Sequence, residues 1–124
     1  MTRTDAHDLA TRYLAAWNET DPAHRRALLA ALWTEEATYR DPLMEGTGPD
    51  GIAALIEGVQ ARFPGFRFSL AGQPDGYADR LRFSWTLGPD SGEPVVAGTD
   101  FALLAEDGRL RMVSGFLDRL PGEA

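Results

Sequence analysis

The sequence predicts an α+β domain in which three N-terminal helices pack against a curved, mostly antiparallel sheet. Apolar residues recur at helical spacing through the first half of the chain, and from Phe66 onward they alternate with polar residues. Short clusters of turn residues separate the alternating segments. Helices that precede a block of strands are typical of this fold class. The expected order is therefore helix, helix, strand, helix and four strands in a meander.

The three helices are predicted from their caps and their apolar stripes. Thr4 or Asp5 is expected to cap the first helix, and Asp21 the second, with Pro22 at its first position. Asp50 is expected to cap the third. The apolar stripes are Leu9, Tyr13 and Trp17; Leu28, Leu29, Leu32 and Trp33; and Ile52, Leu55, Ile56, Val59 and Phe63.

The strands are predicted from alternation and from the turns between them. The expected strands are 37–41, 66–71, 77–87, 95–105 and 109–118. Segment 46–49 is expected to be a loop, 72–76 a turn and 120–124 a loose tail, whereas Asp107-Gly108 favours a tight hairpin. These elements make one domain, residues 1–124.

Composition excludes several function classes. The net charge is −7, and the basic residues are all arginine, so Schiff-base chemistry and a phosphate-binding lysine are excluded. An acidic chain without a basic run argues against nucleic acid or an anionic membrane as a partner. There is no cysteine, and no segment resembles a signal peptide or a membrane span, so a cytoplasmic location is expected. His7 and His24 lack a partner at ligand spacing, so we predict neither a metal nor a cofactor.

Two aspartates are candidates for chemistry. Asp41 precedes Pro42, which favours extended backbone at a strand end, where a carboxylate is either solvated or an acid–base group. Asp100 lies among apolar residues in a strand that is apolar on both faces. Burial there favours the neutral carboxyl, which can donate a hydrogen bond. The alternative is an ion pair with Arg82 or Arg111. The two apolar faces indicate cover by the helices on one side and by a second subunit or a neighbouring strand on the other.

Four segments together resemble the NTF2-like superfamily, in particular its ketosteroid-isomerase and SnoaL-like members. They are the helix that carries Tyr13, the segment ALWTEEATYRDP, the helix that follows GTGPDGI, and the strand VVAGTDF. The resemblance covers nearly the whole chain and implies a cone-shaped fold with a pocket inside. It also implies that Asp41 is a general base, and that Tyr13 and a protonated Asp100 hold an oxyanion.

The sequence departs from the isomerases around this expected oxyanion site. Trp33 and Ile56 stand where supporting tyrosines are expected, and Phe101 follows Asp100 in place of a histidine. The hydrogen-bond network is therefore expected to be thinner, with tryptophans reshaping or filling the pocket. The residues expected to line the pocket are Trp17, Trp33, Tyr39, Ile56 and Phe116.

Two functions from different classes follow from the resemblance. One is a cofactor-free isomerase or polyketide-cyclase-like enzyme that removes a proton next to the carbonyl of a small apolar molecule. The other is a non-catalytic module that binds a small ligand or dimerises. Convergence of Tyr13, Asp41 and Asp100 on one cavity would favour the enzyme. A homodimer through the sheet is expected in either case. An aspartate–arginine–aspartate set, as in epoxide hydrolases of this fold, would need Arg82 to face inward, against the alternation of its strand.

Overall fold

In a computed structural model, which describes residues 1–122, three helices pack against a curved mixed sheet of six strands. The helices are α1 (Arg3–Asn18), α2 (Pro22–Leu32) and α3 (Gly48–Arg62). The strands are β1 (Trp33–Arg40), β2 (Glu45–Thr47), β3 (Phe66–Tyr77), β4 (Arg80–Pro89), β5 (Val96–Leu104) and β6 (Leu110–Arg119). Their order across the sheet is β2-β1-β6-β5-β4-β3, with β1 and β6 parallel and the other pairs antiparallel. The predicted α+β class is confirmed, with one strand more than expected. None of these helices has the length and apolar character to cross a membrane.

The first helix begins earlier than predicted. Its N-cap is Thr2, whose hydroxyl accepts a bond from the Asp5 amide at 3.0 Å, while the Asp5 carboxylate accepts from the Thr2 amide at 2.9 Å. This reciprocal capping box uses Asp5 inside the first turn, so neither Thr4 nor Asp5 is the cap. The second helix starts as predicted, because the Asp21 carboxylate accepts from the His24 amide at 2.8 Å.

The third helix follows directly from a strand that sequence analysis missed. Segment 46–49 was expected to be a loop, but Gly46 pairs with Tyr39 of β1, and Thr47 is the N-cap of α3. Gly48 has a φ of 72°, and a Cβ there would lie 2.8 Å from the Glu35 carbonyl oxygen, so only glycine allows this approach. Asp50 is not the cap. It lies in the first turn, where its negative charge interacts favourably with the helix dipole.

The predicted turn 72–76 is part of strand β3. The pairing of β3 with β4 shifts between Ala71 and Asp75, and Gly72 there has a φ of 78°. The extra length is absorbed as a bulge around Pro74, which has no amide hydrogen to pair. The chain turns instead at Ala78, which has a φ of 50°.

Strand alternation divides the sheet into a covered and an outer face. The buried side chains of β4 are those of Leu81, Phe83, Trp85 and Leu87. Arg82 points away from them and contacts exposed Asp75 at 3.5 Å, so it does not face inward with the two candidate aspartates. In β5 the even-numbered residues from Val96 to Ala102, Asp100 among them, are buried, and the odd-numbered ones are half-buried.

A buried arginine ties the three helices together next to the pocket. Arg25 is 2% exposed, and its side chain donates to the Glu19 carbonyl at 2.9 Å and to the Gln60 side chain at 2.9 Å. The Gln60 amide in turn donates to the Trp17 carbonyl at 3.0 Å. Since buried polar groups are costly to leave unpaired, these bonds hold the end of α1 that carries Trp17 in one position.

Candidate functional site

A cavity of about 110 Å³ lies between the helices and the covered face of the sheet. At its closed end are Tyr13 and Asp100, each 2% exposed, and at its mouth are the exposed side chains of Leu43 and Pro121. The wall between them is apolar and includes Leu14, Trp17, Val59, Phe63, Phe68, Leu87, Val96 and Leu117. Leu120 and Pro121, from the segment 120–124 that was expected to be a loose tail, therefore form part of the cavity lining. Residues 123 and 124 of that segment lie outside the described residues.

Asp100 is held by two donors at the closed end of the cavity. The Tyr13 hydroxyl donates to Oδ2 at 2.7 Å, and the Trp85 indole Nε1 donates to Oδ1 at 3.1 Å. Burial raises the pKa of Asp100 to about 6; the two hydrogen bonds oppose this shift, and the nearby charge of Asp41 adds to it. Near pH 6 the neutral and the ionised forms of Asp100 are therefore both populated.

Asp100 does not form the alternative ion pair with Arg82 or Arg111. Arg82 contacts Asp75, and Arg111 contacts Asp79 at 3.8 Å and the Leu104 carbonyl at 3.3 Å, both on the exposed surface. Asp100 is therefore compensated by neutral donors alone, and its burial makes the ionised form less favourable than it is in water.

Trp85 was not predicted as a partner of Asp100. Trp85 pairs directly with Gly98 across β4 and β5, and a Cβ on Gly98 would overlap the indole ring. The missing side chain lets the indole lie flat against β5 and reach Asp100 two residues along the same face. A glycine two residues before a buried acid was the available signal, but its meaning depends on the strand register.

Asp41 lies just beyond β1 and is held by three donors. The Tyr39 hydroxyl donates to Oδ2 at 2.6 Å, and the amides of Leu43 and Met44 donate to Oδ1 at 2.8 Å and 3.1 Å. Pro42 has no amide hydrogen, so the carboxylate closes an Asx-type turn over the two residues that follow it. Burial raises the pKa of Tyr39 well above its usual value, helped by the charges of Asp100 and Asp41, so the hydroxyl stays a donor.

Gly115 lies between the two carboxyl groups. It pairs with Asp100 across β5 and β6, and a Cβ at this position would lie 2.9 Å from Asp100 Oδ1, 3.2 Å from Asp41 Cβ and 3.4 Å from the Tyr39 hydroxyl oxygen. Only a residue without a side chain leaves this space open. Gly115 was not predicted as a site residue, because its neighbours come from other strands.

The aromatic residues around Tyr13 fall into two groups. Trp17 and Tyr39 line the cavity as expected, with ring centroids 5.4 Å apart. Trp33 lies 5.8 Å from the Tyr13 ring but is fully buried in the core and is not part of the cavity wall. It therefore packs behind Tyr13 and does not fill the cavity. Burial raises the pKa of Tyr13 well above its usual value, and the Asp100 charge adds to this.

Two further pocket-lining predictions need correction. Ile56 is fully buried in α3 and contributes to the core, not to the wall. Phe116 is 61% exposed on the outer face, because its strand neighbours Gly115 and Leu117 take the inward positions. Tyr13, Asp41 and Asp100 do line one cavity, and their chemical roles remain predictions.

The chain matches the family model of the SnoaL-like domain over residues 10–113. It is 50% identical to a structure described as a "putative isomerase of the SnoaL-like family" from Agrobacterium tumefaciens, with a TM-score of 0.89. That match covers 93% of this chain and 98% of the other. No match is found among curated proteins. The resemblance identified in the sequence is thereby confirmed.

More distant matches show the fold alone. A "putative polyketide cyclase" from Sinorhizobium meliloti is 14% identical, with a TM-score of 0.69 over 93% of this chain and 99% of the other. A de novo designed protein with a curved β-sheet is 8% identical, with a TM-score of 0.71 over 95% of this chain and 88% of the other. The same architecture therefore forms from very different sequences, and function has to be argued from the site.

Proposed function

The chain belongs to the SnoaL-like family, and we propose that it is a cofactor-free enzyme that transfers a proton at the carbon next to the carbonyl of a small apolar molecule. One observation carries the proposal: two separately hydrogen-bonded carboxyl groups line the same apolar cavity, with Gly115 between them. The 50% identical "putative isomerase" supports this class of reaction.

Asp41 serves as the general base in this proposal. Its three hydrogen bonds fix the orientation of the carboxylate, so the base is already positioned when the substrate binds. A base positioned in this way contributes typically about 10²–10⁴-fold to the rate. The proton passes from the substrate carbon to a carboxylate oxygen of Asp41, and the electron pair moves to the carbonyl oxygen as an enolate.

The enolate oxygen is stabilised through Tyr13 and Asp100 in tandem. Their oxygens are 2.7 Å apart, so a protonated Asp100 can donate to the Tyr13 oxygen and free the phenolic hydrogen for the substrate. The family resemblance implies instead that Tyr13 and Asp100 each donate a hydrogen bond directly to the enolate oxygen. In the arrangement proposed here only Tyr13 does so, and Asp100 supports it. A preorganised donor of this kind contributes about 10²–10³-fold.

The cavity size favours a substrate about as large as a single ring. An apolar cavity of roughly 150 Å³ binds benzene, and the cavity here is about 110 Å³ with an open mouth. A whole steroid would have to project far beyond the mouth. We therefore place the reacting carbonyl in a small cyclic or short-chain compound.

A non-catalytic binding module is the second candidate. It is favoured by the fact that both oxygens of Asp41 and both oxygens of Asp100 already accept hydrogen bonds from the protein itself. A satisfied site of this kind can hold a ligand without reacting with it.

Hydrogen–deuterium exchange at the α-carbon of a small cyclic ketone, followed by NMR, separates the two candidates. We expect the wild type to catalyse exchange, Asp41→Asn to lose at least 10²-fold, on the order of a general base's contribution, and Asp75→Asn on the outer face to keep the wild-type rate. Full activity in Asp41→Asn would refute the role of the base. Binding of the ketone without exchange in the wild type would favour the binding module.

We further propose that two copies pair through the outer face of the sheet. Phe101, Leu103 and Met112 are half-buried there, and Phe116 is 61% exposed. Leu103 and Met112 are direct cross-strand partners, which makes the apolar surface continuous between β5 and β6. A surface of this kind is typical of a protein–protein contact.

A further inference from the structure

Among the residues that the structure describes, three charged side chains line the cavity, and one of them is basic. Asp41 and Asp100 are acidic, and Arg62, the last residue of α3, is the basic one. Asp100 lies at the closed end and is 2% exposed, whereas Arg62 is exposed. The lining therefore changes from acidic at the closed end, through an apolar wall, to a cation that is open to solvent.

The guanidinium group of Arg62 lies beside an aromatic side chain of the cavity wall. Within residues 1–122, no carboxylate lies within ion-pair distance of its guanidinium group, although Arg25, Arg40 and others have such partners. Its guanidinium carbon lies 6.0 Å from the centre of the Phe63 ring, and Phe63 lines the same cavity. This cation–π contact favours positions of the charge beside the wall.

Among the described residues that line this cavity, Arg62 is the one that attracts an anion. The chain carries a net charge of −7, and the Asp41 carboxylate repels an anionic group from the part of the cavity that holds Asp100. A ligand with a carbonyl at one end and an anion at the other therefore has one favourable orientation. Its carbonyl lies toward Asp100 and its anion toward Arg62.

We propose that Arg62 binds the anionic end of the substrate, which is then a small carbonyl compound bearing a carboxylate remote from the reacting carbonyl. The inference rests on the proposed proton-transfer function, and it specifies the substrate class. The planar guanidinium group can form two parallel hydrogen bonds to a carboxylate, which gives orientation as well as attraction.

Paired ligands of nearly equal shape test this proposal. We would measure dissociation constants of 4-acetylbenzoate and of its neutral counterpart 4-methylacetophenone by NMR titration. Arg62→Gln is expected to weaken binding of the acetylbenzoate about three- to five-fold, the effect of an exposed ion pair, and to leave the neutral ketone unchanged. Arg62→Lys should keep part of the preference. Arg67→Gln, at an exposed position of β3 that does not line the cavity, is the matched control.

The ratio of the two dissociation constants separates a binding role of Arg62 from a structural one. A stabilising role of Arg62 at the end of α3 would alter unfolding but not this ratio. An unchanged ratio in Arg62→Gln, or an equal loss for both ligands, overturns the proposal. If neutral ketones still exchange their α-proton in that case, the proposed function stands and only the anionic substrate is wrong. If the ratio changes but no ketone exchanges, the anion site stands and the proton-transfer function is wrong.

Discussion

Replacing Gly115 by alanine places one methyl group between the two carboxyl groups. The backbone at Gly115 lies outside the left-handed region, so alanine can adopt it, and the effect comes from the side chain alone. The new Cβ would lie 2.9 Å from Asp100 Oδ1, which is closer than a carbon and an oxygen can approach without repulsion. Asp100 can move away only by lengthening its bonds from Tyr13 and Trp85, at 2.7 Å and 3.1 Å.

Two effects of this change can be estimated. A hydrogen bond to a charged group contributes about 1.5–3 kcal/mol, so weakening one of the two bonds to Asp100 should lower the free energy of unfolding by up to that amount. A displacement of about 1 Å in a reacting group can lower turnover about 10²-fold. We expect Gly115→Ala to fold, to bind a ketone with little change, and to lose about 10²-fold in the rate of α-proton exchange.

The assay compares exchange rates and urea denaturation for Gly115→Ala and Gly58→Ala. Gly58 lies in α3, and a Cβ there meets no atom within 4 Å. Gly58→Ala should therefore stabilise the helix by up to about 1 kcal/mol and leave exchange unchanged. If Gly115→Ala folds normally and exchanges protons at the wild-type rate, the space between the carboxyl groups has no catalytic role.

Three further predictions follow, two for Asp100 and one for the outer face. Because burial raises the pKa of Asp100 from 3.8 to about 6, the folded state binds this proton more tightly than the unfolded state. Stability should therefore fall by roughly 3 kcal/mol as the pH rises from 4 to above 6, and Asp100→Asn should flatten this dependence in urea denaturation at pH 4 and pH 8. α-Proton exchange should also decline above pH 6; a rate that rises there would contradict the role of neutral Asp100. Phe116→Arg is expected to convert a dimer to a monomer in light scattering without loss of folding, and a monomeric wild type would contradict the proposed dimer.

Local patterns in the sequence were enough to predict the layers of this fold and to identify Asp41 and Asp100 as candidate site residues. Period-3.6 and period-2 patterns record which face of an element is buried, so the helices and the alternation of β4 could be predicted from neighbouring residues. The apolar surroundings of Asp100 were visible in the same way, as was the placement of Asp41 before Pro42. The helix caps were less accessible, since several nearby residues can cap a helix and the chosen one depends on the path into it.

Tertiary structure decided what the aspartates contact. Tyr13 and Asp100 are 87 residues apart in sequence, and their hydrogen bond depends on how α1 lies on the sheet. The contacts of Gly115 and Trp85 depend on strand register, where a shift of one residue turns every side chain to the other face. The sequence by itself determined that two aspartates, Asp41 at a strand end and Asp100 among apolar residues, occur in an α+β domain. Only long-range pairing decided that they lie in one cavity, with a glycine between them and an arginine at its mouth.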